Sequence, residues 1–400
     1  MKVPFESAFS DITREVEKIP KQEYLKEGKY PIIDQGDSKI AGYTNREDGV
    51  YRNGPVVLFG DHTRVFKYID FPFFAGADGT KILKAKTGTD TRFGYYSFIN
   101  HPLNSLGYSR HFKLLKDKPF YTHDYATQLR IAGVLGSLDE KIELNRKKIA
   151  ELEALAKTIY DYWFMQFDFP DKNGKPYKSS GGKMVWNEQL KRKVPEGWVQ
   201  WSIGKCGHFH RGVSYSKENE VNSGDDSISV YRGNNIARGF VVHDSNEVFI
   251  PRSMVSKSQI LQRGQVLIAM SSGSKDHVGK AGLVTMSESV CAFGAFCTAF
   301  EPDNVYRCFV YDFFRSATYR SYIKQICSGT GINNLKVKHL ETDLFAVPDG
   351  NEIMDRFNAI QQPLYDQMMR LDEECATLHN TRDDLLPLLM NGQVEVRGDK

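Results

Sequence analysis

Among its 400 residues this chain has six cysteines but no Cys-x-x-Cys pair, and it has no long apolar run. Each absence excludes something. Cys206, Cys291, Cys297, Cys308, Cys327 and Cys375 all lie in the second half without paired spacing. That pattern speaks against a disulfide framework and against a zinc ribbon, and predicts reduced, mostly buried thiols. The local cluster Cys206-Gly207-His208-Phe209-His210 would crowd its ligand atoms on one strand face with no fourth partner nearby in sequence, so no metal site is expected. No stretch approaches the roughly 18 apolar residues of a membrane span, and the start MKVPFESAFSDITREVEK has no signal-peptide core. A cytoplasmic protein without membrane association is expected.

Catalytic motifs are also missing. A phosphate-binding P-loop needs Gly-x4-Gly-Lys-Ser/Thr; the run from Gly273 to Ala281 has five residues between its glycines and Ala281 in place of the hydroxyl. It reads instead as a basic, glycine-rich surface loop. There is no Asn/Asp-Pro-Pro-aromatic motif for base amino-methylation, no proline-aspartate then Glu-x-Lys arrangement for metal-dependent DNA cleavage, and no nucleophile elbow, HExxH or dinucleotide fingerprint. A non-catalytic role is expected, with no catalytic residue, metal or cofactor assigned to this chain.

What the chain does contain begins with size. At 45.6 kDa, 40% apolar, 26% charged and a mean hydropathy of −0.46, it has the composition of a soluble globular protein with two or more domains. Its strongest pattern is a heptad stripe spaced alternately by four and three: Ile131, Leu135, Leu138, Ile142, Asn145, Ile149, Leu152, Ala156, Ile159, Trp163. Charged residues fill the gaps between them, the signature of a helix presenting one seam to a partner. A helix over residues 124–164 follows, roughly 60 Å long at 1.5 Å per residue. Shifting every position by 226 gives a second stripe: Phe357, Gln361, Leu364, Met368, Leu371, Cys375, Leu378, Arg382, Leu385, Leu389. The shared phase predicts an internal duplication, ordered globule, helix, globule, helix, with the two helices as mates. Asn145 is the polar seam residue that would fix register. Pro363 predicts a kink or break near residues 359–362.

Both globules read as short strands and turns, with YPIID, GPVVLFG and YIDFPFF in the first and GQVLIAM, AGLVTM and VCAFGAFCTAF in the second. Residues 93–106 and 306–326 supply short helices, so the class is α+β, each globule mixed. The expected division is a first globule over 1–123, a helical segment over 124–169, a linker over 170–193 containing DKNGKPYKSSGGK, a second globule over 194–348, a helical segment over 349–392 and a tail over 393–400. Charge divides accordingly. Residues 1–123 hold 19 basic against 15 acidic side chains and 191–345 hold 19 against 14, whereas 346–400 hold 5 against 11. Two separate basic blocks point to two binding surfaces for an anionic partner.

The segment DYATQLRIAGVLGSLDEKIELNRKKIAELEALAKTIYDYWFMQFDFP is similar to the central conserved region of Type I restriction-modification specificity (S) subunits. VPEGW at 194–198, SGTGINNLKVKHLETDLFAVP at 328–348 and RDDLLPLLMNGQV at 382–394 resemble the start, the end and the closing repeat of that family's second half. KEGKYPIIDQGDSKIAGYTN at 26–45 and FGDHTRVFKYIDFPFFAGADGTKIL at 59–83 fit its first. The resemblance implies two target-recognition domains, each reading half of an interrupted DNA site, held apart by an antiparallel coiled coil of the two helices. It further implies docking of modification (methyltransferase) and restriction (endonuclease/translocase) subunits, with S-adenosylmethionine, ATP and Mg on those partners rather than on this chain.

Contacts to double-stranded DNA are expected from polar loop residues, phosphate contacts positioning and base-edge contacts specifying. The candidates in the first block are His62, Arg64, Lys67, Lys81, Arg92, Arg110, His111 and Lys113. In the second they are Arg211, Tyr215, Lys217, Arg232, Asn234, Asn235, Arg238, Ser272, Lys275, His277 and Lys280. The reading from another class is a coiled-coil scaffold whose globules bind proteins; salt-sensitive DNA binding separates the two.

Overall fold

The computed structural model describes residues 1–400 except 77–78, 105–108, 244–246, 275, 287–290, 331–333 and 397–400. The chain divides into two compact units, Met1–Glu143 with Ala376–Lys400, and Leu144–Cys375. No helix among the described residues is long and apolar enough to cross a membrane.

In the first unit the strands are β1 Phe9–Asp11, β2 Tyr30–Ile33, β3 Gly42–Thr44, β4 Val56–Gly60, β5 Phe66–Ile69, β6 Phe74–Ala75 and β7 Thr80–Ala85. One antiparallel sheet has the order β1-β7-β4-β5; a second, β3-β2-β6, pairs β2 antiparallel with β3 and parallel with β6. Alternation explains the wholly apolar β4. Val57 and Phe59 enter a core with Phe9, Phe93, Phe98 and Phe120, while Val56 and Leu58 enter another with Ile33, Ile69 and Ile82. A strand covered on both faces must be apolar throughout. Helix α1, Thr91–Asn100, starts at Asp90, whose carboxylate accepts from the Phe93 amide at 2.8 Å. Helix α2 is Phe112–Asp117, and α3, Tyr125–Tyr160, is the long helix that the first stripe predicts.

The second unit repeats the plan. Its strands are β8 Gly207–Arg211, β9 Ser227–Tyr231, β10 Ile236–Ala237, β11 Phe240–Val241, β12 Val248–Pro251, β13 Val266–Ala269, β14 Ala281–Leu283, β15 Cys291–Phe293 and β16 Cys297–Pro302. The orders are β8-β16-β13-β14-β11-β10 and β12-β9-β15, with β9 antiparallel to β12 and parallel to β15. The first four strands of the larger sheet and all three of the smaller take the same order and sense as in the first unit. Again β13 splits its side chains: Val266 and Ile268 face one core, Leu267 and Ala269 another. Helices α4 Arg307–Arg315, α5 Ala317–Thr330 and α6 Glu352–Met390 follow.

All twenty stripe positions are buried or half-buried. Within the first unit Ile131 and Leu135 share a core with Leu386 and Leu389, and the Arg382 guanidinium bonds Asp139 at 2.9 Å. That ion pair accounts for a charged residue on the seam. Within the second unit the Gln361 amide donates to the Ala156 carbonyl at 2.8 Å, and the Trp163 and Phe357 rings lie 5.3 Å apart. Asn145 is fully buried, its amide facing the Cys375 thiol.

Two expectations need correction. Helix α6 runs through Pro363 without the break that is one of the two expected outcomes. The lost backbone bond is offset by anchors beside it: Gln361 on Ala156, and the Tyr365 hydroxyl donating to Asp312 at 2.6 Å. The stretch 170–193 is no bare linker, because Met184–Asn187 pairs with Arg192–Pro195 as a hairpin. Phe164, Phe167 and Phe169 pack their rings on Trp198, which gives that stretch a base on which to fold.

The six cysteines are all buried free thiols, and all lie in the second unit. Burial pushes the Cys206, Cys291 and Cys297 thiols up to about 12. His210 meets Glu301 at 2.7 Å rather than Cys206. No group of three or more His, Cys, Asp or Glu is placed to hold a metal ion among the described residues.

Candidate nucleic-acid interface

In the first unit the loops after β2 and β4 are stapled together. The Gln35 side chain accepts from the His62 amide at 3.2 Å, and the Gln35 carbonyl accepts from the Thr63 hydroxyl at 2.6 Å. Beneath them the Lys67 ammonium donates to the carbonyls of Asp34 at 2.7 Å and Ser38 at 2.5 Å. Buried Asp61 accepts from the amides of His111 at 2.8 Å and Phe112 at 2.7 Å, fixing the start of α2 to the same loop. Arg64, with a φ of 63°, reaches the Leu103 carbonyl at 3.1 Å. A side chain there is strained unless the loop holds it.

His62, Arg64 and Arg110 are therefore brought to one end of the sheet. Lys81 stands over the Phe112 ring at 5.2 Å, and Lys113 is exposed on α2. Three candidates do different work. His111 is fully buried and Lys67 only 6% exposed, so neither has a surface for DNA. Burial also pulls the Lys67 ammonium below its ordinary value, with Asp34 and Asp37 opposing. Arg92 pairs with Glu140 at 2.6 Å and Asp70 at 3.7 Å and lies over the Tyr68 ring, tying α1 to α3.

In the second unit the centre of the cluster is the tight turn Gly294–Phe296 between β15 and β16. The Val213 amide donates to the Phe293 carbonyl at 2.8 Å, and the Ala295 amide to the Val213 carbonyl at 2.9 Å. The Phe296 carbonyl accepts from the amides of Met270 at 2.8 Å and Ser271 at 3.2 Å. Arg211 ends β8 opposite Thr298, the Tyr215 ring packs against Gly294, and the Arg232 charge acts on both Tyr215 and Cys297. Four polar residues from separate segments, Arg211, Tyr215, Arg232 and Ser271, thus converge on one tip. Phe296 crowns it at 72% exposed.

The neighbouring loop from Ser271 to Lys280 is held from below by α5. The Arg320 guanidinium donates to the carbonyls of Val278 at 2.8 Å and Asp276 at 3.0 Å, and the Tyr319 hydroxyl to that of Gly279 at 3.0 Å. Burial first, then Arg320, lowers the Lys280 ammonium. His277 is exposed and Ser272 half-exposed, while Lys275 lies outside the described residues. Lys217 is exposed on the turn that Ser216 and Asn219 cap, and Asn234 is exposed. Asn235 is buried, bonding the Arg232 amide at 2.9 Å and the Val242 carbonyl at 3.1 Å, so it shapes the loop rather than its surface. Arg238 acts on Asp372 of α6, apart from the tip.

Sequence reasoning overlooked Phe296 and Arg320. The signal for Phe296 was its place in VCAFGAFCTAF, an aromatic beside a glycine turn, where a polar residue is the usual choice.

Residues 9–154 match the family model of the Type I restriction modification DNA specificity domain. Over those residues the chain is similar to that domain. Among curated relatives, the Type I restriction enzyme EcoKI specificity subunit of Escherichia coli (strain K12) is 31% identical over 207 residues, covering 50% of this chain and 44% of that protein. The StySPI specificity subunit of Salmonella potsdam is 31% identical over 205 residues, covering 50% and 44%. The chain thus spans less than half the length of these relatives. A crystal structure of the Type I restriction-modification S subunit from M. genitalium superposes with a TM-score of 0.56 at 18% identity, covering 97% of this chain and 95% of that one. At that identity the likeness speaks for the fold alone; the residues that match the family model hold the first unit's sheets and most of α3.

Proposed function

We propose that this chain is the sequence-specific DNA-binding specificity subunit of a Type I restriction-modification complex. It reads a bipartite site, one half per unit, and docks modification and restriction subunits. The observation that carries this reading is the recurrence, in the second unit, of the strand order of the unit that holds most of the residues matched by the specificity-domain model. In both, cationic or polar loops follow the equivalent strands β4 and β13. The recurrence supports an internal duplication, with residues 1–123 and 194–348 as the two target-recognition domains.

The stripe supports an antiparallel coiled coil of α3 and α6. Within the first unit Asp139 meets Arg382 and His123 meets Met390; within the second Ala156 meets Gln361 and Trp163 meets Phe357. One number rises as the other falls in each. DNA contact is assigned to His62, Arg64, Lys81, Arg110 and Lys113 in the first unit, and to Arg211, Tyr215, Lys217, Arg232, Asn234, Ser272, His277 and Lys280 in the second. The chain performs no chemistry; S-adenosylmethionine, ATP and Mg belong to the partner subunits, and the complex acts on cytoplasmic DNA.

The test is co-expression with its modification subunit in a host lacking other methylases, followed by methylome sequencing. A single interrupted adenine-methylated motif that vanishes when this chain is omitted is expected. A methylome indifferent to the chain would leave it a coiled-coil scaffold.

A further inference from the structure

We propose that Phe296 is a specificity-determining residue of the second unit, meeting the 5-methyl group of a thymine in the major groove of bound duplex DNA. The inference rests on the DNA-reading role proposed above.

Three considerations carry it. Phe296 is 72% exposed, although burying such a ring is among the larger gains open to a folding chain. The turn does not need it, since small polar residues serve that geometry as well. Its backbone is held firmly, by two hydrogen bonds to its carbonyl and by fully buried residues at the flanking strand ends, Cys291–Phe293 and Cys297–Phe300. The ring is therefore presented on a rigid base, as a reading group requires.

The surroundings select the occupant. A protein partner is expected to find a contiguous apolar patch of several hundred Å², whereas the turn that carries Phe296 lies beside the strand end at Arg211, Tyr215 near its Gly294 and Arg232, whose charge acts on Cys297. A single exposed apolar group on a turn flanked by two arginine-bearing segments suits a duplex, whose phosphates arginines meet and whose major groove offers one apolar mark, the thymine methyl. The corresponding sequence of the first block, Gly76-Ala77-Asp78-Gly79-Thr80 against Gly294-Ala295-Phe296-Cys297-Thr298, places aspartate where the second has phenylalanine. The apolar contact is thus particular to one half-site, and the other is its internal control.

The test uses the complex of this chain with its modification subunit and duplexes carrying the motif that methylome sequencing reveals. Each thymine is replaced in turn by deoxyuridine, which removes only the methyl. For the wild-type complex, one replacement in the second half-site should weaken binding about fourfold, the worth of one buried methyl. F296A should bind the unmodified site more weakly and be indifferent to that replacement, with first-half replacements acting alike on both proteins. F296L, which keeps an apolar tip, should retain part of the sensitivity. The proposal is overturned if the second half-site contains no thymine, if no replacement matters, or if its effect persists in F296A. A complex without any sequence preference would overturn the specificity reading itself, a separate result.

Discussion

Lys67 and Phe296 sit against expectation in opposite ways, the charge inside and the ring outside. Lys67→Met removes the donor from two loop carbonyls, and the first unit should lose about 1 to 3 kcal/mol of stability. Calorimetry reads this as a lower first-unit midpoint; an unchanged midpoint would show that the staple is idle. Asp312 lies deep in the second unit, taking hydrogen bonds from Tyr365 and Gln361, and burial pushes its carboxyl up to about 8. The folded form therefore holds a proton that the unfolded chain, titrating near 3.8, has lost. Its stabilising effect is complete below the lower value and is lost as pH rises to the upper, with a slope of at most about 1.4 kcal/mol per pH unit. Denaturation of the wild type should show this decline between pH 5 and 8, and D312N should flatten it. Equal slopes would place the proton elsewhere.

At the scale of elements, the seam charge Arg382 is predicted to matter through Asp139, which also accepts from the Tyr96 hydroxyl at 2.6 Å. R382A should cost about 1 to 3 kcal/mol, because it leaves a half-buried carboxylate without its cation; a stability equal to wild type in urea titration would count against that. Arg320 is a positioning residue for the loop above α5. R320A should relax sequence preference in one half of the methylated motif while leaving the other half and the complex's assembly intact; a uniform loss over both halves would contradict the clamp. The long helices were legible because their heptad period is local and sustained over ten positions. The strand orders were not, because β1 meets β7 and β8 meets β16 across some 70 and 90 residues, and nothing local encodes such pairings. Nor does residue type separate a lysine that reads DNA from one that, like Lys67, holds up a loop. Only the positions of the loop carbonyls decide it.

For the whole molecule, the proposed binding of DNA by two modestly basic blocks predicts an affinity that falls with salt, log K declining linearly with log salt in proportion to the phosphates neutralised. Replacing both Arg211 and Arg232 should lower that slope, whereas replacing Lys67 should not; titrations at several salt concentrations measure both, and equal slopes would deny the tip its phosphates. The placing of the thiols adds an experimental handle. Every cysteine is sealed within the second unit, and the first has none. A thiol reagent is thus blind to one unit and, because every thiol is buried, reacts with the other when that unit opens. The rate of alkylation becomes a clock for the breathing of one unit alone, readable by mass spectrometry within the intact complex and without any engineered label.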